Sequence, residues 1–116
     1  MTVYISPNPG KPQAYSIALR AAQILLTHDA QILMQDMLQN DCSAMGVQYL
    51  PLEDCLRQTD VILTIGGDGT ILHEANRSLK YHKPILGINL GRCGFLATCE
   101  IDEMETKLSA VARGDF

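Results

Sequence analysis

The sequence predicts an α/β fold, with an open, mostly parallel sheet and helices on both of its faces. Short apolar runs rich in β-branched residues, such as 61–65 and 85–88, have the length of buried strands. Segments in which apolar residues recur every three to four positions lie between those runs and indicate helices. Because strands that alternate with helices build βαβ units, the sheet is expected to be mainly parallel.

The chain opens with a short strand, Val3 to Ser6. Three prolines follow within 7–12, and they exclude the interior of a helix or strand from this segment, which is therefore a turn. An amphipathic helix is predicted over about 14–27, because tyrosine, alanine and leucine side chains recur there at helical spacing.

The next part of the chain has weaker patterns. A second strand is predicted over 30–34, although its leucine and methionine also suit a helix. No element is assigned to 36–45, which Gly46 ends. The run 47–50 is expected to be extended. The segment 51–56 is predicted to be a short helix, because a proline and two acids open its first turn.

The second half of the chain repeats the order of strand, glycine loop and helix. Strand 61–65 leads through a glycine turn into a helix over about 70–80, and strand 85–88 leads into a second glycine loop, 89–96. A last helix is predicted from 101 to about 113. The two glycine loops follow consecutive strands, so we expect them to face one another across a crevice that suits one extended nucleotide. The apolar positions that indicate the helix over 70–80 are Ile71, Leu72, Ala75 and Leu79.

Length and composition indicate one globular domain. The chain has 116 residues, of which 47% are hydrophobic, and this is enough to bury a core. A net charge of -4 without a basic face argues against nucleic-acid binding. No apolar run has the length of a membrane span, and the N-terminus lacks the basic region of a signal peptide. We therefore expect neither nucleic acid nor membrane as a partner.

The cysteines indicate a reducing compartment. Cys42, Cys55, Cys93 and Cys99 include no C-x-x-C pair, and the chain is not a small disulfide scaffold. We interpret them as reduced, mostly buried thiols of a cytoplasmic protein. Their spacing does not predict a zinc site.

The turn after strand 61–65 carries the chemistry. Gly66, Gly67 and Gly69 let the backbone approach a ligand and take up positive φ without steric cost. Backbone N–H groups in such a turn, together with a helix N-terminus, attract anions, and a phosphate chain is the expected guest.

Asp68 does not fit a simple phosphate site, because a carboxylate repels phosphate. It belongs there if it holds a cation or takes a proton from an attacking hydroxyl group, and both roles suit phosphoryl transfer. The structural alternative is that Asp68 or Thr70 only caps the following helix.

Several other motifs are excluded. Leu72 stands where G-x-G-x-x-G requires its third glycine, and no G-x-x-x-x-G-K-[ST] loop occurs. His73 and Glu74 lack the second histidine of H-E-x-x-H, because Arg77 occupies its position. Asp68 replaces the serine of a nucleophile elbow.

Two segments resemble the NAD kinase family. They are Gly66-Gly67-Asp68-Gly69-Thr70 and Gly87-Ile88-Asn89-Leu90-Gly91-Arg92-Cys93-Gly94-Phe95-Leu96. The first alone is shared with diacylglycerol and sphingosine kinases, and a near variant occurs in 6-phosphofructokinases. The second distinguishes them, since lipid kinases continue with an Asn-Glu-Val helix and a later Thr-Gly-Asn loop that are missing here. The resemblance runs from about Val61 onward and implies a Rossmann-like or phosphofructokinase-like N-terminal domain; Cys93 departs from the family's usual leucine.

The resemblance implies a reaction and roles for residues. The family makes NADP by moving the γ-phosphoryl group of ATP to the 2′-hydroxyl of the adenosine ribose of NAD, with Mg²⁺ on the phosphates. Asp68 matches the general base, Gly69 a backbone contact to NAD, His73 a basic residue near the NAD phosphates, and Phe95 an aromatic near the adenine. His73 would otherwise be an ordinary helix-face residue and Phe95 part of the core. The residues expected to bind nucleotide are Gly66, Gly67, Asp68, Gly69, Thr70, Leu72, His73 and Phe95; no protein ligand for a metal is predicted.

The family also has a second, all-β domain. It supplies an Asn-Glu/Asp motif and a Gly-rich Thr-Ser loop, and neither occurs in these 116 residues. We therefore expect residues 1–116 to be a single α/β domain, the N-terminal one, with little or no activity alone. Family members are homo-oligomers, which the resemblance implies for the full-length form. ATP and polyphosphate both stay open as donor, and NAD and NADH both stay open as acceptor.

Two other functions compete with this one. A lipid or sugar kinase can carry the same Gly66–Thr70 segment, and a substrate panel would separate it. A nucleotide-binding module without activity would keep the fold alone. Asp68 argues against the second alternative, because a site that only binds phosphate gains nothing from a carboxylate.

Overall fold

The computed structural model describes residues 1–90 and 101–115. The second glycine loop beyond Leu90, including Phe95, lies outside these residues, as do Cys93 and Cys99. The strands are β1 (Thr2–Pro7), β2 (Gln31–Gln35), β3 (Val47–Leu50), β4 (Val61–Gly66) and β5 (Ile85–Asn89). The α-helices are α1 (Pro12–Thr27), α2 (Leu52–Gln58), α3 (Asp68–Tyr81) and α4 (Met104–Ala112).

The strands form one parallel sheet in the order β3-β2-β1-β4-β5. The order runs outward from β1 in one direction and from β4 in the other, so the chain changes direction across the sheet between these two neighbours. In open α/β sheets, ligands bind outside the carboxyl ends of the strands at such a switch point. The predicted α/β class is confirmed, and the switch point lies at the predicted glycine turn.

Helices cover both faces of the sheet because strand side chains alternate. Val3 and Ile5 of β1 face a core that includes α1 and α4. Tyr4, between them, faces a smaller cluster with Cys55 and Leu56 of α2. The α3 helix packs against β4 and β5.

Helix α3 differs from its sequence pattern in start and in orientation. It begins at Asp68, two residues earlier than predicted. Ile71 is buried, but Leu72 and Leu79 are 55% and 75% exposed, whereas Glu74 is only 4% exposed. The apolar positions therefore identified the helix but not its buried face, because a polar contact with β1 orients it.

Other elements differ in smaller ways. Strand β2 occupies 31–35 rather than 30–34, and short 3-10 helices occupy Asp36–Leu38 and Ile101–Glu103. Cys42 and Cys55 are free and buried, as predicted for them. Within the described residues, no helix is both long enough and apolar enough to cross a membrane.

The glycines of the turn matter for the room they leave to neighbouring atoms, and they do not adopt unusual torsion angles. Positive φ among described glycines occurs only at Gly46 and Gly114, so the Gly66–Thr70 turn does not use the positive φ that its glycines permit. A Cβ atom on Gly66 would lie 2.8 Å from the Cβ atom of Thr70. That separation is too short for any side chain at position 66, whereas a Cβ on Gly69 would meet nothing within 4 Å.

This contrast gives a stability prediction. Gly66→Ala should lower the free energy of unfolding by about 1–3 kcal/mol, since the first turn of α3 must move to relieve the clash. Gly69→Ala should not lower it, because alanine favours helix over glycine by up to about 1 kcal/mol. Urea unfolding followed by circular dichroism compares the two variants with the parent. Equal stability of the two variants would contradict the steric role of Gly66.

Candidate functional site

The site is built where β1 and β4 end side by side. Ser6 of β1 pairs with Thr64 of β4 in the parallel register. Beyond the sheet, the Asn8 N–H donates to the Ile65 carbonyl at 2.9 Å, and the Leu90 N–H donates to the Gly66 carbonyl at 2.9 Å. The loops after β1 and β5 are thus attached on either side of the β4 terminus.

Asp68 lies in the first turn of α3 and is half-buried. Gly67 is the N-cap, and no side chain caps the helix, so the interpretation of Asp68 or Thr70 as the N-cap is wrong. The Asn89 side chain, at the end of β5, donates from Nδ2 to Oδ1 of Asp68 at 3.0 Å. This contact ties the carboxylate to the end of β5, next to the carboxyl end of β4.

Thr70 is also held from a neighbouring strand. Its hydroxyl oxygen accepts a hydrogen bond from Asn8 Nδ2 at 3.0 Å, while Asn8 Oδ1 accepts one from the Gly10 N–H at 2.9 Å. Asn8 therefore connects the loop after β1 to the start of α3.

The predicted nucleotide-binding residues other than Phe95 lie together at the end of β4 and the start of α3. Gly66 is buried, Gly67 and Thr70 are half-buried, and Gly69, Leu72 and His73 are exposed around the first turns of α3. Phe95 lies outside the described residues. The remaining seven residues all lie within 66–73.

A cavity of about 420 Å³ opens beside this turn. It lies between the ends of β1 and β2 and one side of α3, and its volume is typical of small-molecule sites. Its polar lining residues are Tyr4, Ser6, Asn8, Gln35, Thr70, His73, Glu74 and Arg77. Three of the predicted binding residues border this cavity: Gly69, Thr70 and His73.

The ion pair between Glu74 and Arg77 forms part of the wall of the cavity. Oε1 of Glu74 accepts hydrogen bonds from Ser6 Oγ at 2.9 Å and from Arg77 Nη1 at 2.8 Å. Oε2 of Glu74 and the Thr64 hydroxyl are buried, and neither has a hydrogen-bond partner among the described residues. A carboxylate in such a place costs free energy unless it is paired, so Arg77 and Ser6 together allow Glu74 to be buried.

Tyr4 contributes a neutral hydroxyl to the same wall. Burial raises the pKa of Tyr4 from 10.0 to about 12; a hydrogen bond with Ser6 acts in the opposite direction, and the nearby Glu74 charge raises the pKa further. The phenol therefore stays protonated at neutral pH and can donate a hydrogen bond.

The sequence interpretation missed two residues that organise the site. Asn8 and Asn89 were not predicted to act there, although Asn8 directly follows β1 and Asn89 is the last residue of β5. A polar amide at that position is the signal, since carboxyl ends of neighbouring parallel strands meet at one edge. Their partners, Thr70 and Asp68, are far away in sequence and were not predictable.

Comparison with known proteins identifies relatives of the whole described fold. A family model described as the ATP-NAD kinase N-terminal domain matches residues 3–116. NAD kinases of Heliobacterium modesticaldum and Methanopyrus kandleri are 35% and 36% identical, over 99% and 90% of this chain. A yeast NADH kinase complexed with NADH superposes with a TM-score of 0.75 over 99% of this chain at 21% identity, which shows a shared fold.

The chain spans only part of each relative. It covers 40% of the Heliobacterium protein, 36% of the Methanopyrus protein and 38% of the yeast structure.

The raised pKa values give a prediction for alkaline pH. Burial also raises the pKa of Cys55 from 9.0 to about 11. Tyr4 and Cys55 therefore stay protonated to a higher pH in the folded state than in the unfolded state. Their contribution to stability is therefore complete below pH 9 and is lost as pH rises toward 12. Tyr4 alone accounts for roughly 2–3 kcal/mol of this loss.

Urea unfolding of the parent, Tyr4→Phe and Cys55→Ala between pH 8 and 11.5 measures the effect. Each variant should show a smaller decline than the parent, with the Tyr4→Phe difference appearing above pH 10 and the Cys55→Ala difference above pH 9. A parent-like decline in Tyr4→Phe would mean that the buried phenol does not cause it.

Proposed function

The chain belongs to the ATP-NAD kinase N-terminal domain family, and we propose that it supplies the catalytic base of an NAD kinase. The observation that carries this proposal is the Asp68 carboxylate, which Asn89 orients at the carboxyl end of β4. A turn suited to phosphate surrounds it. The proposed reaction converts NAD and ATP to NADP and ADP.

Asp68 would act on the acceptor hydroxyl. The 2′-oxygen of the adenosine ribose forms a bond to the γ-phosphorus of ATP, and the bond from that phosphorus to the β,γ-bridging oxygen breaks. The electron pair leaves with ADP, and Asp68 takes the proton of the hydroxyl group. Asn89 occupies Oδ1 of Asp68, while Oδ2 has no hydrogen bond to a described residue and is available for that proton.

The start of α3 would help to hold the phosphates. The first intrahelical bond runs from the Ile71 N–H to the Gly67 carbonyl, so the preceding N–H groups have no intrahelical acceptor. Such groups bind anions. The absence of a Cβ at Gly69 leaves open space beside them.

Mg²⁺ would be bound at this domain mainly by the phosphates of ATP. The described residues include no group of three or more potential metal-ligating acids, histidines or cysteines. Mg²⁺ typically takes most of its ligands from substrate phosphates and water, with one or two carboxylates, and Asp68 is the acid beside the turn. When bound, the ion neutralises charge that develops on the phosphates.

The cavity beside α3 supports the proposal that the substrate is a nucleotide. Its volume suits part of a nucleotide, and the His73 imidazole at its border is where the family resemblance implies a contact with NAD phosphates. Phe95 stays a predicted contact near the adenine and Leu72 a predicted nucleotide contact, and the 55% exposure of Leu72 is compatible with that role.

The rest of the proposed enzyme would lie in a second domain. The chain spans 40% of its Heliobacterium relative, so we propose that it is the N-terminal domain and has little or no activity alone. Homo-oligomerisation of the full-length form and a cytoplasmic location are further predictions. The relatives named NAD kinase do not favour a lipid or sugar kinase.

The central prediction concerns Asp68. In the full-length form, Asp68→Asn should reduce NADP formation from NAD, ATP and Mg²⁺ by roughly 10²–10⁴-fold, because an amide cannot accept the proton. The assay measures NADP with an NADP-specific dehydrogenase. A well-folded parent that makes no NADP would refute the proposed function, and full activity of the variant would refute the base.

A second prediction tests the orientation of Asp68. Asn89→Ala should lower kcat by about 5–10-fold, since one hydrogen bond to the carboxylate is lost. Asn76→Ala on the exposed side of α3 is the matched control and should retain parental kcat. Because Asn89 is buried, unfolding curves must first show that the variant is folded at the assay temperature. An unchanged kcat would remove Asn89 from the mechanism.

A further inference from the structure

Lys11 lies close to the turn between β4 and α3. It is exposed and stands at the N-cap position of α1. Its Nζ atom is 3.7 Å from the point where a Cβ on Gly67 would stand. Gly67 directly precedes Asp68, so an ammonium group lies close to the residue before the proposed catalytic base.

The backbone of the β1–α1 loop holds Lys11 in this place. The Lys11 N–H donates to the Asn8 carbonyl at 3.1 Å, and the Lys11 carbonyl accepts from the Ala14 N–H at 2.9 Å. Asn8 is in turn bonded to Ile65 and, through its side chain, to Thr70. The loop that carries Lys11 is therefore fixed to both β4 and α3.

The charge of Lys11 is available for a ligand. The ion pairs found among the described residues are Arg57–Glu53, Arg77–Glu74 and Lys107–Glu103, and none includes Lys11. Arg77, the other strong cation at this edge, is committed to the buried Glu74. Among the residues that the structure describes, Lys11 is thus a cation placed to offset the repulsion between Asp68 and phosphate.

We propose that Lys11 binds the phosphoryl group that is transferred. This rests on the proposed function, in which the acceptor hydroxyl lies against Asp68 and the γ-phosphorus must approach that hydroxyl. The transferring phosphoryl group is therefore the phosphate that the reaction requires next to Asp68 and Gly67. Lysine interacts with phosphate as a point charge, and here it would stabilise the negative charge spread over the oxygens of the group in transfer.

Kinetics of the full-length form test which substrate Lys11 contacts. Lys11→Ala should lower kcat/KM for ATP by roughly 10–100-fold, the range for a lost hydrogen bond to a charged group. The KM for NAD should change less than about twofold, and Lys11→Arg should recover part of the loss. Lys80→Ala, which removes the same charge at the far end of α3, should behave like the parent. Parental kcat/KM for ATP in Lys11→Ala, or a change confined to the KM for NAD, would overturn the proposal.

A binding measurement separates this proposal from the reaction itself. Inorganic tripolyphosphate, titrated calorimetrically without nucleotide, should bind the parent and Lys80→Ala equally and Lys11→Ala about tenfold or more weakly. Equal binding by Lys11→Ala, or no binding by the parent, would overturn the role of Lys11. Absence of NADP formation with tripolyphosphate binding that still depends on Lys11 would instead refute the NAD kinase function and leave the phosphate contact standing.

Discussion

The turn from β4 into α3 depends on a contact that admits only glycine at position 66. With Thr70 as close as 2.8 Å to a hypothetical Cβ, the helix begins directly after the strand and its first turn lies against the sheet edge. Asp68 then stands at the switch point between β1 and β4, where the carboxyl ends of both strands lie side by side. The position of the proposed base therefore follows from backbone packing.

Three side chains from the ends of two strands, β1 and β5, complete this arrangement. Asn89, the last residue of β5, orients Asp68; Asn8 after β1 binds Thr70, and Ser6 within β1 reaches Glu74 on α3. Each contact attaches α3 to a different part of the sheet edge. The helix is thereby held in position mainly by polar contacts on the side where the site forms, which is why its buried face does not follow an apolar stripe.

Electrostatics divides the site into two parts. Under α3, the carboxylate of Glu74 is buried and neutralised by Arg77, so it contributes to the cavity wall without leaving an unpaired charge in the site. At the helix start, Asp68 is half-buried, and Lys11 lies close to the neighbouring Gly67. An acid that accepts a proton and a cation that attracts phosphate can act together there, since each reduces the cost of placing the other beside a substrate.

The sequence by itself determined the α/β class, the succession of strands and helices, and the Gly66–Thr70 turn with its acid, because periodicity and turn chemistry are local properties. It did not determine the strand order, the buried face of α3 or the roles of Asn8, Asn89 and Lys11. Those depend on which strand ends become neighbours in the sheet. Residues 8 and 70, or 68 and 89, meet only after parallel pairing brings β1, β4 and β5 together, and no local pattern encodes that pairing.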